Sequence, residues 1–168
     1  GQVRYIGLSN RNRAQLAEAT ESAAELGITG YVSAQNWYRL LTRGIEEDLV
    51  PVANDANISV IPYFPLESGL LTGKYRKGQD APEGSRLAQW GGVGSPEKLD
   101  KVEELISWAE AHGHSMLELA MGGLTSRPFV GTVIAGVTSP AQVRQNAAAG
   151  GVEFTTEQPR ENDARTAP

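Results

Sequence analysis

The chain has 168 residues, 40% of them hydrophobic and 21% charged, with a net charge of −5 and no cysteine. That length supports one domain with a sizeable core, the acidic balance without a dense Lys/Arg cluster argues against a nucleic-acid partner, and the missing cysteine excludes disulfides, thiolate metal sites and a cysteine nucleophile. No apolar run approaches the ~20 residues of a membrane helix and no signal-peptide core opens the chain, so a soluble, cytoplasmic protein is expected. The chain starts at Gly1 without a methionine and directly on a strand, which implies processing or a piece of something longer.

Val3 to Leu8 reads as a short strand closed by Ser9 and Asn10, two small hydrogen-bonding residues. A helix is predicted from Asn12 to Leu26, with Leu16, Ala19, Ala23 and Leu26 on its apolar stripe and Gly27 as its stop. The second strand, Gly30 to Ala34, ends in Gln35-Asn36-Trp37-Tyr38. The second helix spans Gly44 to Ala56 and carries Glu46, Glu47 and Asp48 in its first turn, where carboxylates complement the helix dipole.

The third strand, Ile58 to Ile61, runs into Pro62-Tyr63-Phe64-Pro65. Prolines lack an amide donor, so the strand is expected to stop there with both aromatics turned out at its tip. Loops at the ends of parallel strands are where α/β proteins hold ligands. The Gly- and Pro-rich stretch from Arg76 to Pro96 reads as a lid or flap.

Helices follow at Leu99 to Ala111 and at Ser115 to Leu124. The second opens on a capping box, Ser115 to Glu118, and is weakened by Gly122 and Gly123 at roughly 1 kcal/mol each. His112 and His114 lie in the connecting loop and read as solvated, with no third ligand for a metal. Val130 to Ala135 is the fourth strand, and Ser139-Pro140-Ala141-Gln142 starts the last helix with a cap, a first-position proline and a capping-box glutamine. That helix has no acid in its first two turns, so its positive end is open to an anion. Residues 159 to 168 read as a disordered tail. Four alternations of strand and helix imply a parallel sheet with right-handed crossovers, half of the eight units in a complete barrel.

Five segments carry a family resemblance: Gly-Gln-Val-Arg-Tyr-Ile-Gly-Leu-Ser-Asn at 1 to 10, Ser-Ala-Gln-Asn-Trp-Tyr at 33 to 38, Pro-Tyr-Phe-Pro-Leu at 62 to 66, Leu-Leu-Thr-Gly-Lys-Tyr at 70 to 75 and Val-Ile-Ala-Gly-Val-Thr-Ser-Pro at 133 to 140. In that order they resemble the aldo-keto reductases, a pattern the voltage-gated potassium channel β subunits share. The likeness is to the second half of that family's barrel, strands five to eight, and implies a (βα)4 half-barrel over residues 1 to 158.

By resemblance, Ser9, Asn10 and Gln35 hold the carboxamide of a nicotinamide cofactor and Tyr63 stacks on its ring. Phe64, Pro65, Leu66, Ser68 and Gly69 wrap the pyrophosphate, with Lys74 and Arg86 reaching phosphate. Gly136, Thr138, Gln142, Gln145 and Asn146 match positions that bind the 2′-phosphate and adenine. The cofactor implied is NADPH, although some relatives carry Lys and Arg where this chain has Gly136 and Gln142. The side chains fit independently, since Ser, Asn and Gln together can satisfy both the C=O and the NH₂ of a carboxamide, and Tyr63 offers a flat stacking surface. For Gln142 a plain capping role is equally open, and for Trp37 and Tyr38 packing is expected.

The family's proton-delivering Asp/Tyr/Lys/His tetrad comes from the first half of its barrel, and no matching motif occurs here. Cofactor binding with little reduction is therefore expected, with Tyr38 and Lys74 as a conceivable substitute pair. Open sheet edges imply pairing, with a homodimer or larger assembly closing the ring. Three functions fit: an NADPH-dependent carbonyl reductase acting in an assembly, a non-catalytic cofactor-binding module, and a fragment of a longer reductase.

Overall fold

The computed structural model describes residues 2 to 89 and 95 to 154. Part of the proposed lid and all of the proposed tail therefore lie outside the described residues.

Strand β1 (Ile6–Ser9) leads into helix α1 (Arg13–Glu25), which begins at a reciprocal cap: the Gln15 amide donates to Asn12 Oδ1 and Gln15 Oε1 accepts from the Asn12 amide. Strand β2 (Tyr31–Trp37) runs three residues past the expected Ala34, and α2 (Ile45–Asp55) follows with its acidic first turn as read. Strand β3 (Ser59–Tyr63) is succeeded by a 3₁₀ segment (Glu67–Thr72), the short α3 (Arg86–Gln89), then α4 (Pro96–Ala111), α5 (Met116–Thr125) and α6 (Pro140–Gly150). Among the described residues the sheet is parallel with order β1-β2-β3.

The fourth strand does not form as a regular ladder. Residues 129 to 134 lie beside β3 and touch it at two parallel bridges, Val60 with Val130 and Tyr63 with Ile134. Pro62 explains the break. The amides of Val60 and Gly131 bond across to Phe129 O and Val60 O, and Ile134 bonds to Pro62 O, so the donor that Pro62 lacks belongs to this same side. The ladder loses one rung and the register slips by a residue between the two bridges. β3 itself passes through Pro62, against the expectation that it would stop there, because the side facing β2 needs nothing from that missing N–H: Asn36 pairs with Pro62 and Trp37 with Tyr63.

The two faces of the sheet differ. Ala34, Asn36, Val60 and Pro62 point to one face and are buried, where α1 and α2 supply Leu16, Leu49, Val50 and Ala53 to a common cluster. Ser33, Gln35, Trp37, Ser59, Ile61 and Tyr63 alternate onto the other face, which no helix among the described residues covers. A second cluster, built from Leu70, Leu71, Tyr75, Val102, Leu105, Trp108, Met116 and Leu119, joins the 3₁₀ segment to α4 and α5.

Of the glycine pair in α5, Gly122 has a packing reason that the sequence does not show. A Cβ on Gly122 would stand 2.7 Å from the Phe154 ring and 2.8 Å from Val152 O, so the backbone following α6 packs where a side chain would be. Of the loop histidines, His112 is exposed as read while it stacks on Trp108 with ring centroids 4.0 Å apart, and His114 is half-buried, tilted against Phe154 at 4.7 Å.

Candidate functional site

The parallel register brings three strand ends to one rim. Ser9 pairs with Gln35 and Gln35 with Ile61, which sets the tip of β1 and Ile61 of β3 on either side of Gln35 in the C-terminal half of β2. Asn10 adopts a left-handed φ of 54° directly after β1, a conformation Asn tolerates better than most residues. That turn lets its amide donate to Gln35 O at 2.9 Å. Its side chain accepts from Tyr63 Oη at 2.8 Å and donates to Ser9 Oγ at 3.1 Å. Ser9, Asn10, Gln35 and Tyr63 therefore form one cluster, reached from three separate segments, on the open face of the sheet.

The fourth segment comes to the same rim. Gly136 lies two residues beyond Ile134, which bridges Tyr63. Beyond it, Gln142 caps its own helix: its Oε1 accepts from the Thr138 amide at 2.7 Å and from Thr138 Oγ1 at 3.1 Å. The Gln142 amide donates to Ser139 Oγ at 3.3 Å. Thr138 and Gln142 are thus engaged with each other. Asn146 lines a cleft of about 330 Å³ between α5, α6 and the fourth segment, together with Thr132, Val137 and Val143. Gln145 sits on the exposed surface of α6.

Between the two, Phe64 to Gly69 makes a contorted loop. Phe64, Glu67 and Ser68 have φ of 62°, 47° and 58°, and Gly69 follows at 94°. Positive φ at three non-glycine residues is held only by surroundings that leave no alternative. Pro65 and Glu67 are buried, whereas Leu66 and Ser68 are partly open. The Lys74 amino group lies within 3.3 Å of where a Gly69 side chain would begin and 5.1 Å from the Tyr75 ring. Arg86 opens α3, which packs on the 3₁₀ segment.

Sequence reasoning missed the group that holds this loop. Arg39 Nε stands 2.8 Å from Glu67 Oε2, Lys98 Nζ contacts Glu67 Oε1, and the guanidinium lies 4.1 Å over the Trp37 ring and 5.7 Å from Phe64. The Arg39 and Glu67 side chains are only 6% and 8% exposed, so the pairing is desolvated. Burial draws the Arg39 guanidinium down to about 10, which leaves it charged near neutrality. Lys98 is lowered by burial first and by the Arg39 charge second. No local pattern signals this cluster, because its members come from the β2–α2 turn, the 3₁₀ segment and α4.

Tyr38 is not placed for proton delivery. It is 1% exposed, and its hydroxyl donates at 2.5 Å to Glu46 Oε1, a carboxylate also gripped by Arg43. Burial, reinforced by Glu46, pushes its pKa well above the tyrosine range, the direction opposite to an acid catalyst. The Tyr38–Lys74 substitute pair therefore fails. Among the described residues no cluster of His, Asp or Glu could hold a metal ion, and no helix is long and apolar enough to cross a membrane.

A three-stranded parallel α/β sheet with helices on one face and polar strand tips gathered at one rim is consistent with part of a (βα) barrel, with the candidate site at the carboxyl ends of the strands. Residues 1–165 match the model of the aldo/keto reductase family. The chain belongs to that family. A putative voltage-gated potassium channel subunit beta from Schizosaccharomyces pombe is 34% identical over 163 residues, covering 92% of this chain and 46% of that protein. The protein tas of Escherichia coli is 28% identical over 87% of this chain and 43% of its own length. An uncharacterized oxidoreductase of Bacillus subtilis, YrpG, is 29% identical over 86% and 43%. The chain thus spans less than half the length of these relatives, and its three-stranded parallel sheet is consistent with part of the family's barrel.

Proposed function

We propose that this chain binds a nicotinamide dinucleotide at the carboxyl ends of its strands and contributes the cofactor half of an NADPH-dependent carbonyl reductase. The observation that carries the reading is the single cluster of Ser9, Asn10, Gln35 and Tyr63, linked by the Tyr63 Oη to Asn10 Oδ1 bond of 2.8 Å and the Asn10 amide to Gln35 O bond of 2.9 Å. A carboxamide entering there exchanges those internal bonds for its own, with Gln35 completing the set, while the Tyr63 ring supplies the stacking surface.

The loop Phe64, Pro65, Leu66, Ser68 and Gly69, with Lys74 and Arg86, receives the diphosphate. Gly136, Thr138, Gln142, Gln145 and Asn146 receive the adenosine end. When bound, the cofactor supplies the hydride. This chain's own residues bind it, orient the ring face and exclude water from one side.

The tetrad that protonates the carbonyl oxygen is taken to lie outside this polypeptide, in an opposite half that completes the (βα)4 half-barrel; a second copy of the chain closes the ring without supplying it. A non-catalytic cofactor-binding module is favoured as the second reading by the burial of Tyr38 against Glu46. Titration of the isolated chain with NADPH and NADH, followed by tryptophan fluorescence, is expected to show saturable quenching. NADPH oxidation in the presence of 4-nitrobenzaldehyde, measured for the chain alone and together with an opposite half that carries the tetrad, then separates the two readings: turnover above the cofactor-only control in either mixture selects the reductase, and its absence from both selects the module. Light scattering that returns a monomer with cofactor bound would remove the homo-oligomer.

A further inference from the structure

The geometry points to Arg39, Glu67 and Lys98 as an ionic clamp that presets the 64–69 loop for a phosphate-bearing ligand, with Lys98 of α4 a positioning residue for the cofactor site. This inference rests on the dinucleotide reading above and names residues that reading does not use.

Three observations support it. First, Phe64, Glu67 and Ser68 hold left-handed φ values that a free loop would relax. The contacts opposing that relaxation are Arg39 with Phe64 and Glu67, and Lys98 with Glu67. Second, the charges do not balance. The buried pair of Arg39 and Glu67 has Arg39 Nη1 without a hydrogen-bond partner among the described residues, and two partly or fully exposed lysines, Lys98 on Glu67 and Lys74 beside Gly69, add positive charge at its rim. Third, burying ions gains little net stability over packing apolar side chains of the same size. A buried pair with an orphaned guanidinium nitrogen and a surplus of positive charge at its accessible rim is therefore poorly explained as a stabiliser, and well explained as a site that a negatively charged ligand completes. A diphosphate seated on the loop would supply it, and Lys98 would report that event to α4.

The test uses Lys98→Met and Lys98→Arg in the whole chain, since Lys98 is 38% exposed and its replacement leaves the core intact. In the ligand-free protein, hydrogen exchange of amides 66 to 73 is expected to quicken in Lys98→Met, to return in Lys98→Arg, and to stay unchanged in α1. NADPH binding is expected to weaken about tenfold in Lys98→Met, the lower end for losing one charge-assisted contact, and to recover in Lys98→Arg. Reduced nicotinamide riboside, which carries no phosphate, is expected to bind both variants like the parent. Unchanged exchange overturns the clamp. Equal losses for NADPH and the riboside overturn its link to phosphate. Failure of the parent chain to bind NADPH sinks the dinucleotide reading and the phosphate link with it, while the exchange measurement still decides whether the clamp exists.

Discussion

The two faces of the sheet are built from the same strands and do opposite work. On the helix-covered face, Leu16, Ala34, Leu49, Ala53 and Val60 are almost completely buried, and the hydrophobic effect acts there at full strength. On the open face, small and polar residues alternate with Trp37, which is 45% exposed, and with the Tyr63 ring. Gly7 belongs to this face too, since a Cβ placed on it would stand 2.4 Å from Ser33 Oγ. The contrast teaches that stability and recognition are separated by one residue of strand alternation.

Mutations on either side of that divide should differ by several kcal/mol. Leu49→Ala leaves a cavity under the sheet and is expected to cost about 2–5 kcal/mol in urea unfolding. Ile61→Ala on the open face is expected to cost less than half as much. Equal losses would mean that the open face is covered in solution, and a concentration-dependent midpoint would identify that cover as a second copy.

A smaller effect separates the neighbours in α5. Gly122→Ala is expected to destabilise by about 1–3 kcal/mol, because the added methyl meets Phe154 and a carbonyl. Gly123→Ala meets Leu40 at 3.5 Å and Leu119 at 3.9 Å, both ordinary contacts, and is expected to be neutral or to stabilise by up to about 1 kcal/mol through helix propensity. If thermal unfolding gives both the same sign, the packing of the segment after α6 is not as described.

Tyr63→Phe removes the hydroxyl that bonds Asn10 and keeps the ring. A stability loss of about 1 kcal/mol or less is expected, with nicotinamide stacking retained. A loss of cofactor affinity as large as that from Tyr63→Leu would show that the hydroxyl, and not the ring, makes the site.

The smallest effect concerns acid. Glu103 is held below its ordinary 4.5 chiefly by the hydrogen bond from Arg76, and Glu118 chiefly by the Ser115 amide. A carboxyl depressed in the folded state contributes stability that is complete above its unfolded value and is lost as pH falls through the folded one. Unfolding measured from pH 6 downward should therefore show stability declining below about pH 4.5, with a shallower decline in Glu103→Gln.

Much of this architecture was legible in the chain itself. Leu16 and Ala23 at helical spacing, the acids after Gly44, the Ser115 capping box and the Ser139-Pro140 opening each specify a local conformation through contacts within a few residues, and each formed as read. The first three strands were legible as short apolar runs, but their ends were not: β1 begins at Ile6 and not Val3, β2 runs on to Trp37 and β3 to Tyr63.

What only the folded chain decided is non-local. Pro62 was expected to end its strand, but a missing N–H matters only on the side where a partner needs it, and the identity of that partner is a fact of topology. Gly122 looked like a flaw until Phe154 came to lie where its side chain would be. The Arg39–Glu67–Lys98 cluster has no trace in the sequence, because charges that meet across three segments are selected by the desolvated space they share and by nothing near them along the chain.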